Sequence, residues 1–440
     1  MRTLLVSGTA AGIAIALGAW IFAAGTVAPK DILIGEKAFE DATRVQPGMF
    51  RRITASDLPQ PFTTKSASNT LKIIPRPADA WPKAPAGFRV ELYADGLSFP
   101  RLIRRAPNGD VFLADAPNHS QNNSGTVKVL RGITKDGKPE KISTFISGLN
   151  TPFGIAFYPA GPNPQWVYIG NTTSVIRIPY KNGDLEASGP AQTIIAGLPS
   201  GGHATRDLAF SADGKVLFVA VGSAGNVDDA DNDPREKNRA NILEYTPEGQ
   251  FVKIYASGIR NPVGIAVNPL TGELWCSVNE RDALGDNLVP DYITHVKEGG
   301  FYGWPYYYSG GNEEPRLAGK HPEMKDHVIV PDILLQAHSA SLEMTFYDGT
   351  QFPEEYRGDI FAAEHGSWNK ATPAGYELIR VPLTQGRSTG EYESFLTGFI
   401  TANGDAAWGR PVGVTVASDG SLLVSDDASK SIWRVSYTGK

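Results

Sequence analysis

From Gly87 to the C-terminus, short apolar runs alternate with polar turns, and the alternation recurs as one unit. Each unit opens on a small turn rich in Gly and Pro and enters a short apolar strand. An Asp-Gly or Asn-Gly turn often follows, then a second apolar strand. Gly96-Leu97-Ser98-Phe99-Pro100 leads to Pro107-Asn108-Gly109-Asp110 and Val111-Phe112-Leu113-Ala114. Gly148 to Pro152 leads to Gly154-Ile155-Ala156-Phe157 and Trp166 to Ile169. Gly197-Leu198-Pro199 leads to Asp207 to Phe210, Ala212-Asp213-Gly214 and Val216 to Val219. Gly258 to Pro262 leads to Gly264 to Val267 and Glu273 to Cys276. A divergent copy runs from Leu342 to Ala362, and the last from Gly409 to Val424. Asn-Gly and Asp-Gly tolerate positive φ and close tight hairpins. Six copies, spaced on the order of 50 to 80 residues, predict an all-β, six-bladed β-propeller. A plain β-sandwich does not account for six copies of one unit. The spacing stretches between the fourth and fifth copies, at roughly Gly299 to Ala340, where a long loop is expected to carry function.

Two segments precede the repeats. Residues 1–28 carry a positive start, an uncharged apolar run from Leu4 to Ala24 and small residues after it. This reads as a cleaved export signal, or as an uncleaved membrane anchor, and either places the body in the periplasm. Residues 29–86 lack periodicity and end in a Pro-rich stretch, read as an extension and linker; residues 87–440 form the propeller domain. Lys and Arg number 41 against 47 Asp and Glu, a net charge of -6, which argues against a nucleic-acid partner. The single cysteine, Cys276, excludes an internal disulfide framework, a Cys-rich zinc site and Cys-x-x-Cys-His haem attachment.

A propeller gathers the entrances of its inner strands around one axial funnel. Those entrances hold Arg101, His203 with Arg206, Arg260-Asn261, His365 with Lys370, and Arg410. A histidine, several arginines, an amide and a lysine facing one cavity suit a planar, multiply anionic ligand, because guanidinium forks bind carboxylates.

Four motifs occur in order: Gly202-His203-x-x-x-Asp207-Leu208-x-Phe210, Ile259-Arg260-Asn261-Pro262-x-Gly264, Asn279-Glu280-Arg281-Asp282, and Gly299-Gly300-x-Tyr302-Gly303-Trp304-Pro305. Together they resemble the soluble quinoprotein sugar dehydrogenases, most closely the L-sorbosone dehydrogenase-like branch. The resemblance covers residues 87–440 and implies a six-bladed propeller holding pyrroloquinoline quinone (PQQ) and calcium. It implies oxidation of a sugar or sugar aldehyde, with electrons passed to an external cytochrome or quinone. His203 matches the general base. Arg260, Asn261 and Arg410 match cofactor contacts, His365 or Lys370 falls near a cofactor-binding lysine, and Arg101 and Arg206 are further clamps. Trp408 stands where more distant relatives carry another arginine. Glu280 and Arg281 match carbonyl positions on the calcium, without the Gly-Pro those relatives show; Asp291 and Tyr302 are candidates for a second ion. The acidic stretch Asp228 to Asp233 reads as a solvated loop, and Trp304 with Tyr306, Tyr307 and Tyr308 as either a sugar-stacking wall or loop packing. The rival functions are a calcium-dependent lactonase-like hydrolase and a non-catalytic binding propeller.

Overall fold

The computed structural model describes residues 31–116 and 123–439. The expected signal or anchor, residues 1–28, lies outside them. Six four-stranded antiparallel units follow one another around an axis, as the repeats predict. Blade 1 runs from Pro100–Arg105 to Lys141–Leu149, blade 2 from Ile155–Tyr158 to Gln192–Ala196, and blade 3 from Leu208–Phe210 to Phe251–Ser257. Blade 4 runs from Asn261–Val267 to Ile333–Ala337, and blade 5 from Ser341–Phe346 to Glu391–Leu396. Blade 6 takes three strands from the C-terminus and its outer one from the other end of the propeller domain. Phe88–Ala94 pairs antiparallel with Ser431–Tyr437 and closes the ring.

The innermost strands meet at a hub with an alternating pattern. The residue just ahead of, or early in, each inner strand is Leu102, Gly154, Asp207, Gly264, Glu343 and Gly413, blade by blade. Glycine holds the even blades because the odd blades press against it. A Cβ on Gly154 would lie 2.3 Å from the Arg206 carbonyl oxygen, and one on Gly264 would lie 2.5 Å from that of Leu342. The acids of blades 3 and 5 stitch neighbouring blades together. Asp207 accepts from the Ile265 N–H (2.9 Å), and Glu343 accepts from the N–H groups of Ile103 (3.0 Å) and Val414 (3.1 Å). Arg104 bridges the two carboxylates, at 3.2 Å from Asp207 and 3.4 Å from Glu343. This satisfies charges that burial alone would make costly.

The long insertion lies inside blade 4, between its third strand, Pro290–His295, and its fourth, Ile333–Ala337. It carries a two-residue ladder, Tyr307–Tyr308 against Asn312–Glu313, and two 3₁₀ turns. The segment ahead of the repeats lies on the propeller. Phe50–Arg52 pairs with the outer strand of blade 5, and Ile32–Ile34 adds to it in parallel. Arg51 is fully buried there and donates to Ser394 Oγ (2.6 Å).

Candidate active site

His203 is presented by the loop that enters blade 3. Gly201 and Gly202 take φ of +75° and +58°, the left-handed region that glycine enters without cost. A Cβ on Gly202 would lie 2.4 Å from the Ala224 carbonyl oxygen, so the loop folds tightly onto residues 222–224. There the His203 N–H donates to the Ser223 carbonyl (3.1 Å), and Nδ1 lies 3.0 Å from the same oxygen. Ser223 Oγ, 3.1 Å from Nδ1, spends its own proton on the Gly225 carbonyl. Both neighbours of Nδ1 are therefore acceptors, so Nδ1 carries the proton and Nε2 keeps its lone pair. Burial, then the nearby Arg260 charge, pushes the imidazole pKa down to about 3.

Asn261 opens blade 4 beside this ring. A Cβ on Gly222 would meet Asn261 Oδ1 at 2.3 Å and His203 Cβ at 2.7 Å, so this glycine lets the two side chains converge. Asn261 Oδ1 is buried without a hydrogen-bond partner among the described residues. Arg260 is committed to the protein. It donates to the carbonyls of Asn226 (3.1 Å) and Glu280 (2.7 Å) and to Asn226 Oδ1 (3.1 Å), and it faces Asp282 at 3.5 Å. Asp282 also accepts from Asn369 Nδ2 (2.6 Å), which ties blades 4 and 5 at the same rim.

A second group gathers at the entrances of blades 1, 5 and 6. Arg101 Nη1 donates to Asp427 (2.6 Å), and His365 Nε2 lies 3.0 Å from both oxygens of that carboxylate. Arg410 holds the His365 loop through the carbonyls of His365 (3.0 Å) and Gly366 (2.9 Å). Burial, with the Arg410 charge, pushes His365 down to about 4, so the neutral ring donates to Asp427. Against the upward push of burial, His365 and Arg101 hold Asp427 down at about 2. Arg101 Nε and Nη2 and Arg410 Nη1 keep N–H donors without partners among the described residues.

Two expected clamps lie elsewhere. Arg206 is fully buried and spends its Nη groups on the carbonyls of Pro199, His203 and Thr205. Lys370 donates to the Asp286 carbonyl (2.9 Å) and Asn287 Oδ1 (2.6 Å). Of His365 and Lys370, it is His365 that joins the arginines.

The expected metal donors do not come together. Arg260 occupies the Glu280 carbonyl, and the Glu280 carboxylate accepts from the Arg281 N–H (3.0 Å). The Arg281 carbonyl faces the Val289 N–H at 3.5 Å, and the Arg281 side chain is turned to Glu314 (2.9 Å). Asp291 spends both oxygens on the N–H groups of Glu280 and Ala340, each at 2.7 Å. Tyr302 donates to the His295 carbonyl (2.7 Å), at the far end of the strand from Asp291. The four strand steps from Asp291 to His295 span roughly 13 Å. No cluster of three or more His, Cys, Asp or Glu suited to a metal exists among the described residues. The multi-carboxylate centre of a lactonase-like hydrolase is not assembled there.

Trp304 and Tyr306 to Tyr308 are buried in the blade 4 insertion and form no open wall. Trp304 Nε1 donates to the Asn226 carbonyl (3.0 Å), so the insertion braces the loop that holds Arg260. The acidic stretch is paired: Asp229 with Lys320, Asp231 with His321, and Asp233 with Arg235. Asn226, Ser223, Asn369 and Asp427 shape the site although the sequence reading did not single out their roles. Each partners a residue distant in sequence or a main-chain group, and no local motif marks that.

Comparison with known proteins gives these features a family. A model described as TrAA12-like matches residues 82–298 and 320–438. An uncharacterised protein of Borreliella burgdorferi is 30% identical over 371 residues, spanning 81% of this chain and 90% of its own. The PQQ-dependent pyranose dehydrogenase of Coprinopsis cinerea is 24% identical over 423 residues; the match covers 79% of this chain and 53% of that one, about half its length. The calcium structure of a Trichoderma reesei carbohydrate-active enzyme of family AA12 superposes with a TM-score of 0.70 at 21% identity, over 84% of this chain and all of that one. That likeness shows the shared fold. The chain belongs to the TrAA12-like family of six-bladed propellers, the family of the soluble PQQ-dependent sugar dehydrogenases.

Proposed function

We propose that this chain oxidises a sugar or sugar aldehyde, of aldose or L-sorbosone type, with PQQ bound in the funnel and His203 as general base. The observation that carries the reading is the state of His203: Nδ1 is tied to Ser223, Nε2 has no partner among the described residues, and burial keeps the ring neutral. The rim fits an anionic ligand that also carries a donor: Arg101 and Arg410 retain spare guanidinium donors for carboxylates, and the buried Asn261 Oδ1, without a partner among the described residues, can accept from an N–H or O–H of the ligand. Bound PQQ supplies an electrophilic quinone that takes a hydride, two electrons and one proton, from a substrate carbon.

The chain's own residues then divide the work. His203 Nε2 accepts the proton of the reacting hydroxyl as the hydride departs, so the C–H electron pair leaves and a carbonyl remains. Asn261 and the spare N–H groups of Arg101 and Arg410 orient ligand polar groups. Arg260 acts from behind, locking the 226 and 280–282 loops and disfavouring protonation of His203. Calcium does not fit the donors as they stand, because the Arg260 guanidinium, itself a cation, sits 2.7 Å from the Glu280 carbonyl oxygen and would face the ion there. No step is assigned to it.

The charged start and apolar run of residues 1–28 support the further proposal that the propeller works in the periplasm and hands electrons to an external acceptor. The test is reconstitution with PQQ, followed by dye reduction across a panel of aldoses and sugar aldehydes. Turnover with at least one substrate is expected. His203→Ala should lower kcat on the order of 10²-fold or more. The acid limb of the wild-type profile should lie well below the ordinary imidazole value of about 6.5. Normal turnover in the alanine variant would remove His203 as the base.

A further inference from the structure

Two buried guanidiniums converge on the loop that carries His203. Arg206 Nη1 donates to the carbonyls of His203 (2.9 Å) and Thr205 (2.6 Å), and its Nη2 to that of Pro199 (2.6 Å). From blade 3, Arg239 Nη1 donates to the carbonyls of Gly222 (3.1 Å) and Ser223 (3.4 Å), and its Nη2 to those of Ser200 (2.5 Å) and Gly201 (2.9 Å). Arg206 is fully buried and Arg239 nearly so. Neither forms an ion pair among the described residues, and each is near enough for Arg239 to disfavour the charge on Arg206. Buried cations ordinarily rest on carboxylates. Here main-chain carbonyls take that place, and every one belongs to the 199–205 loop or to the turn it is pinned against.

The loop needs such support, since Gly201 and Gly202 leave it conformationally free. The Ser223 carbonyl is shared, accepting from the His203 main-chain N–H, from His203 Nδ1 and from Arg239. Whatever orients that carbonyl sets which imidazole nitrogen carries the proton. A lysine would not substitute, because one ammonium lacks the fork that reaches two sets of carbonyls.

We propose that Arg206 and Arg239 are positioning residues that, through these carbonyls, fix the depth and tautomer of His203. This rests on the reading of His203 as the base. The groups facing His203 are Arg260 and Asp282 from blade 4 and Arg239 from blade 3.

The direct test is ¹⁵N NMR of histidine-labelled chain without cofactor, the His203 signal being assigned with His203→Asn. Wild type should show Nδ1 protonated, and Arg239→Met should show the other tautomer or an average. With PQQ loaded, Arg239→Met should lower kcat about 10-fold or more, as misplacement of a catalytic group does, while KM and PQQ affinity stay within about two-fold. Its acid limb should move to higher pH, because a cation that disfavours imidazolium is gone. Added guanidinium should restore part of the rate. If Arg239→Met does not fold, Arg239→Lys serves, since it keeps the charge and loses the fork. An unchanged tautomer with kcat near wild type overturns the proposal. Full activity in His203→Ala would instead overturn the base assignment.

Discussion

Glu280 is the residue on which burial and charge compete most openly. It is almost fully buried, and burial pushes its carboxyl up to about 8, although Arg260 and Arg281 both act to lower it. A folded-state pKa above the unfolded value means the folded chain holds that proton more tightly. The resulting stability is complete below about 4.5 and is lost as pH rises through about 8. Glu280→Gln should therefore fold normally at pH 7 and lose less stability than wild type between pH 7 and 9. Thermal unfolding across that range checks this, and parallel losses would show that Glu280 is ionised throughout. At this scale the sequence exposed residues whose neighbours along the chain mark them. His203 follows paired glycines, and Asn261 precedes a proline. It misread Arg206 because a guanidinium satisfied by carbonyls one to seven residues upstream has no signature in residue types. It overlooked Asp427, which gathers Arg101 and His365 from more than 60 positions away.

Among the elements, the inner strands place the site, and their packing is set by the alternation of glycine with larger residues around the hub. Gly154→Ala puts a methyl group 2.3 Å from one backbone atom and 2.8 Å from two others of blade 3, immediately beside Asp207. Backbone cannot yield as a flexible side chain does, so a loss at or above about 1–3 kcal/mol is expected. Chemical denaturation reads it, and an unchanged midpoint would mean that the hub is looser than these distances describe. The Pro-x-Gly steps at 152–154, 262–264 and 411–413 were visible as repeats. That they mark every second blade follows only from the ring, where each glycine faces the acid, arginine or leucine of the next strand. The insertion was legible as a stretched spacing but not as part of blade 4, because its closing strand, Ile333–Ala337, is short, buried throughout and without the alternation of apolar and polar positions that marks a strand.

For the molecule as a whole, closure depends on a strand that lies outside the repeat frame. Phe88–Ala94 supplies the fourth strand of blade 6, and the sequence periodicity gave no sign that the start of the domain pairs with its end. A chain lacking residues 31–95 should lose its single cooperative transition, whereas one lacking only 31–49 should keep it; retention by the larger deletion would contradict closure through this strand. The ring so closed brings the entrances of blades 1, 3, 4, 5 and 6 to one rim, and binding of an anionic quinone at that rim is the central claim. Equilibrium titration of the purified chain with PQQ, followed by quinone absorbance, tests it most directly. One molecule should bind saturably per chain, with affinity weakened at least 10-fold by Arg410→Met, on the scale of a lost charged hydrogen bond of about 1.5–3 kcal/mol. Absence of saturable binding, or an affinity that ignores Arg410, would contradict that claim.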